Sequence, residues 1–219
     1  DPELTIDEML ENVRFFRENN LIEGNQWPFW PMAINHGSRM VGRLQREGLL
    51  GEENVNFMSY GYHFKDSSIE KIQRMVDAIS KKTRTIFYTI KVKSKIFDPA
   101  KRNDKSRLCQ KYVEDNGLIY LDLMEELGRA MQKSATKEEM DAIVRRADEK
   151  AFELAKDVSD DVAHGRISDE DGYLKNALAK IGIKDNAAGL LFYPVRDFVQ
   201  GKPLNTGLIV PMRTPEAAI

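Results

Sequence analysis

His36-Gly37-Ser38-Arg39 brings a base, a hydroxyl and a cation together in four consecutive positions. A histidine beside a serine can take the hydroxyl proton, so acyl or phosphoryl transfer is the chemistry this cluster permits. The other histidines are His63 and His164, and no histidine has a second one four residues on, as a helical zinc site requires. His63 reads as strand packing, and His164 suits the negative end of a helix. Cys109 stands among Lys105, Arg107 and Lys111. Positive neighbours lower a thiol's pKa, but no base pattern accompanies this one, and it reads as a packed thiol. The acidic run from Asp157 to Gly172 resembles a calcium loop only in composition. Setting Gly172 at the sixth loop position puts Ile167 and Leu178 where carboxylates are needed. P-loop, GxGxxG and GxSxG patterns are absent. No catalytic residue, metal or cofactor is assigned. An enzyme built on His36, Ser38 and Arg39 is the third of three readings.

The first two readings rest on charge. The chain has 33 basic and 35 acidic side chains, net −2. Residues 81–111 alone carry eleven basic and two acidic groups, net +9, while residues 1–30 stand at −5 and residues 112–219 at −6. Like charges held together raise the free energy of the folded state unless an acidic face, a partner or a polyanion offsets them. In residues 84–97, Arg84, Ile86, Tyr88, Ile90, Val92, Ser94 and Ile96 alternate with Thr85, Phe87, Thr89, Lys91, Lys93, Lys95 and Phe97. This alternation predicts a long amphipathic strand, with Lys91, Lys93 and Lys95 in a row about 7 Å apart on its wet face. Phe87 and Phe97 share that face and are placed to stack bases. Lys101, Arg102, Lys105 and Arg107 follow, and with Arg84 they form a track for phosphates. A lysine-lined strand edge is also a common guard against aggregation.

The elements that hold these residues read mostly as helices. Thr5-Ile6-Asp7-Glu8 is a capping box, opening a helix to about residue 19. Trp27, Phe29 and Trp30 read as a core plug in a loop. Pro31 opens a helix to Gly48, with a break at Gly37 and a new cap at Ser38 as the alternative. Residues 55–64 read as a weak strand. Ser67-Ser68-Ile69-Glu70 opens a helix ending near Lys81. Residues 105–113 form a helix stopped by Asn116-Gly117, and a further helix covers residues 118–133. Thr136-Lys137-Glu138-Glu139 opens a long helix to Ala163, closed by His164-Gly165. Ser168 caps a helix ending at Gly182, and a short helix follows over residues 186–193. Gly201 to Ile219 has three prolines and one apolar run, Leu208-Ile209-Val210, and reads as an extended arm.

The fold class expected is α+β and predominantly helical, with a small β-sheet or hairpin among N-terminal helices, an all-helical C-terminal half and the C-terminal arm. Residues 1–4 read as a cloning remnant, 5–98 as the α+β half, 99–200 as the helical half and 201–219 as the arm, with a single domain as the alternative. A lone cysteine excludes internal disulfides and zinc ribbons. No apolar run reaches the roughly 18 residues a membrane helix needs, so the reading is cytoplasmic, without a membrane partner. The first functional reading is a non-catalytic, self-associating nucleic-acid-binding protein, such as a viral or phage coat or replication accessory protein. Single strands or RNA are favoured, and the arm mediates oligomers. The second is an adaptor whose basic surface docks an acidic protein.

Overall fold

The computed structural model describes residues 1–22, 33–94 and 104–183. Among them are six α-helices and a three-stranded antiparallel sheet, so the fold is α+β and predominantly helical. The aromatic loop at Trp27, Phe29 and Trp30, the short helix over 186–193 and the arm over 201–219 lie outside the described residues.

Helix α1 (Ile6–Glu18) starts at its capping box: Thr5 accepts from the Glu8 amide, and the Glu8 carboxylate accepts from the Thr5 amide. Residues 1–4, set aside in the sequence, pack into the fold: Pro2 accepts a hydrogen bond from the Lys65 amide, and Leu4 lies against the core. The helix expected from Pro31 is absent from residues 34–38. Strand β1 (Ile34–Asn35) stands there, and α2 (Arg39–Arg46) begins after Gly37, whose φ of +78° ends any helical path. Ser38 caps α2 by accepting from the Met40 amide.

The weak strand expected over 55–64 is a hairpin. Strand β2 (Leu50–Asn54) and strand β3 (Ser59–Tyr62) are joined by a 3₁₀ turn (Val55–Phe57). The order is β1-β3-β2, with Ile34 opposite Tyr60 and Leu50 opposite Tyr62. Gly51 permits the close pairing, since a Cβ there would meet the Gly61 carbonyl carbon at 2.9 Å.

The long strand expected over 84–97 is overturned as far as residue 94. Helix α3 (Ser67–Ser94) runs for 28 residues, straight through the expected stop at Lys81. Its buried positions are Ile69, Ile72, Ile79, Ser80, Thr83, Ile86, Phe87 and Ile90, which follow a helical period. No glycine or proline interrupts it. Its start is capped by Asp66, which accepts from the Ser68 amide.

Helix α4 (Asp104–Gln132) also passes its expected stop, and Asn116 and Gly117 are buried within it. Gly128 lets α1 close onto α4: a Cβ there would meet Met9 and Leu10. Helix α5 (Lys137–Ala163) has the expected capping box, and His164 closes it, its amide donating to the Asp160 carbonyl. Helix α6 (Tyr173–Lys180) is capped by Asp169 rather than Ser168. The Asp169 carboxylate accepts from the Leu174 and Lys175 amides, while the Ser168 hydroxyl donates to Glu170.

Helices α3, α4 and α5 pack against one another in pairs. Two apolar clusters lie along them. One holds Ile72, Ile79, Leu123, Leu127 and Met140, with α1 laid over it through Met9 and Val13. The other holds Ile86, Phe87, Ile90, Val113 and Val158, closed by Leu174 and Leu178 of α6. Between them Thr83 and Tyr120 share a buried hydrogen bond of 3.1 Å, and burial pushes the Tyr120 hydroxyl pKa up to about 12. Each cluster draws on residues from both sides of position 98.

Candidate functional site

A helix turns about 100° per residue, so the basic segment is sorted around α3 rather than aligned along one side. Opposite the buried Ile79, Thr83, Ile86 and Ile90 stands a solvent stripe of Lys81, Tyr88 and Val92, flanked by Arg84 and Lys91. Tyr88 is 56% exposed and Val92 53%. The stripe therefore interleaves three cations with one exposed aromatic ring.

Phe87, expected to stack on a ligand, is 1% exposed and belongs to the core. Lys93, expected in a wet row with Lys91, points elsewhere: its ammonium lies 3.8 Å from Asp169 and 3.4 Å from Asp171, tying the end of α3 to the start of α6. Burial raises the Asp169 carboxyl pKa, against the two amides that favour its ionised form. Lys82, beside the stripe, is likewise held by Asp148 at 2.6 Å. Part of the +9 segment is thus neutralised by acids further along the same chain.

Lys105 and Arg107 stand exposed in the first turn of α4, Arg107 with Asp104 at 3.4 Å, and Lys111 is exposed one turn on. Lys95, Phe97, Lys101 and Arg102 lie outside the described residues. Lys81 and Tyr88 were absent from the expected site because the alternating reading set Tyr88 on the buried face. The signal for them was the spacing of Ile72, Val76, Ile79, Thr83, Ile86 and Ile90, which continues the helical register past Lys81.

The His36 cluster is occupied by local structure. His36 Nε2 lies 3.1 Å from Glu53 Oε1, and the ring stacks on Tyr60 with centroids 4.7 Å apart. The Ser38 hydroxyl oxygen is the α2 cap. Cys109 is 3% exposed, and burial, outweighing the nearby Lys93 ammonium, pushes its thiol pKa up to about 11. Asp161, 7% exposed, accepts from the Tyr112 hydroxyl at 2.7 Å and from Arg166 at 2.5 Å, which gives that buried carboxylate two donors. Burial, and then the bond to Asp161, raise the Tyr112 pKa. Among the described residues no group of three His, Cys, Asp or Glu side chains is placed to hold a metal ion. Among them, too, no helix is long and apolar enough to cross a membrane.

A different surface lies between α4 and α5. A groove of about 670 Å³ is lined by Asp115, Asp122, Glu149, Glu153 and Asp157, with Arg146 and Lys150 as its only cations and Leu118, Ile119 and Leu154 as its apolar contribution. No protein-family model, curated protein or solved structure matches the chain.

Proposed function

We propose that the outer stripe of α3, continued by the first turns of α4, binds a polyanion, with single-stranded nucleic acid as the ligand class. The observation that carries this reading is the recurrence of exposed Lys81 and Arg84 and half-buried Lys91 beside the exposed ring of Tyr88. Cations at helical spacing meet successive phosphates and release their counterions, and an exposed ring between them offers a surface for a base to stack on. Contacts of this kind are largely independent of base sequence. Lys105, Arg107 and Lys111 extend the cationic surface, whereas Lys93 and Phe87 serve the fold and take no part.

The test is fluorescence anisotropy with a labelled single-stranded oligonucleotide, titrated from low to physiological salt. Three or four engaged phosphates give a log–log salt slope of roughly −2 to −3 for a single strand. Arg84→Glu with Lys91→Glu abolishes binding at low salt, and Tyr88→Ala weakens it by about tenfold, the worth of one base stack. Lys133→Glu, an exposed change in the turn after α4, leaves it unaltered. Absence of binding by the parent at low salt overturns the reading.

A further inference from the structure

We infer that the acidic groove between α4 and α5 receives the basic outer stripe of α3 from a second copy of the same chain, so that copies join head to tail. The groove's lining has five carboxylates against two cations, and of the five Asp122 is paired with Arg17 and Glu153 with Lys156. Among the described residues Asp115, Glu149 and Asp157 carry no ion pair, while its two cations are engaged, Arg146 with Glu126 at 2.6 Å and Lys150 with Asp122 at 3.9 Å. The groove therefore presents unneutralised negative charge to an incoming surface. The α3 stripe is cationic: Lys81 and Arg84 are exposed and Lys91 half-buried, beside two apolar side chains that stand more than half exposed, Tyr88 and Val92. Leu118, itself 37% exposed, gives the groove an apolar residue to meet them.

The dimensions agree. Lys81 to Val92 and Arg146 to Asp157 each span eleven helical steps, about 16 Å at 1.5 Å per residue. A helix face carrying apolar anchors at three- and four-residue spacing, laid between two helices, is a recurrent mode of recognition. The two surfaces also lie on opposite sides of one molecule. The buried face of α3 packs on α4 and α5, so its stripe points away from the groove those helices form. The stripe of one copy cannot enter its own groove, and a contact between unlike surfaces leaves each end of a pair able to add another copy. Opposite charges at such a contact act chiefly on the rate of encounter and on register, and salt screens them.

The test needs no nucleic acid, so its outcome is separate from the polyanion reading. Sedimentation velocity of the full chain is followed against protein concentration, at low salt and at about half-molar salt. Association is expected at low salt and loss of it at high salt. A stripe variant (Lys81→Glu, Arg84→Glu) and a groove variant (Glu149→Lys, Asp157→Lys) are each monomeric alone. Mixed one to one they associate again, because the intact groove of the first meets the intact stripe of the second and the reversed stripe of the first meets the reversed groove of the second. All four positions are exposed, and far-ultraviolet circular dichroism verifies folding. Should a reversal unfold the chain, Glu149→Gln with Asp157→Asn replaces the groove variant and weakens association by about tenfold or more. A parent that stays monomeric at low salt overturns the inference. So does self-association that survives both variants, or a mixture that stays monomeric.

Discussion

Single residues in the basic segment have separate fates, decided by burial and by partners. Phe87 went to the core, Lys93 to a carboxylate pair, Arg84 to the solvent side and Lys91 to a half-buried place beside it. Cys109 shows how burial overrides neighbouring charge. Lys93 favours the thiolate, yet desolvation raises the thiol pKa from the usual 9.0 to about 11. A rise of that size cuts the thiolate fraction at pH 8 about a hundredfold. Thiol-specific labelling at pH 8 is therefore slow in the native protein and fast in denaturant, with the native rate climbing towards pH 11. The sign for stability follows. Between pH 9 and 11 the unfolded chain loses this proton before the folded one does, so the folded state becomes less stable as pH rises through that window. A native rate equal to the denatured one at pH 8 contradicts the buried placement.

At the level of elements, the helix starts are set by local hydrogen bonds. Thr136 accepts from the Glu139 amide at 3.2 Å, and Glu139 accepts from the Thr136 amide at 2.7 Å. Thr136→Ala is expected to lower stability by about 1 kcal/mol, read as a fall in the urea midpoint at constant slope. A change in slope points to a loosened native or denatured ensemble instead. The same chemistry at Thr5 and Ser38 fixes α1 and α2. Helix continuation is another matter. Nothing local ends α3 between Lys81 and Ser94, and a helix once begun gains a hydrogen bond for each residue added. Asn116-Gly117 carries stop residues, yet α4 passes through them because both are buried against neighbouring helices. Packing of a continuous face outweighs the roughly 1 kcal/mol that an interior glycine costs.

On the scale of the whole molecule, α3, α4 and α5 each contribute to both apolar clusters. Damage to either cluster is therefore transmitted along three shared helices. Ile72→Ala in the first and Ile90→Ala in the second are each expected to cost about 2–5 kcal/mol. Both lower a single unfolding transition seen alike by circular dichroism and by tyrosine fluorescence. Two separable transitions, each moved by only one of the variants, contradict one shared core. The same arrangement sets the charge geometry, with cations on the far side of α3 and carboxylates in the groove between its two partners.

From the sequence alone the helical character, the capping boxes at Thr5 and Thr136 and the alternative cap at Ser38 were legible, because a cap is made within four residues of itself. The charge segregation was legible too, being a count. What the chain alone left ambiguous was the state of residues 84–94. Ile86 and Ile90 are four apart, a spacing that fits both an alternating strand and a helical face. Phe87, Tyr88 and Val92 separate the two, and their burial depends on what packs beside them. Only the tertiary structure, by setting α4 and α5 against α3, put Phe87 inside and Tyr88 outside and bound Lys93 to acids more than seventy residues away. Contacts between residues so distant in sequence leave no periodic trace in either segment, which is why the exposed cation stripe and the acidic groove emerge only from the packed helices.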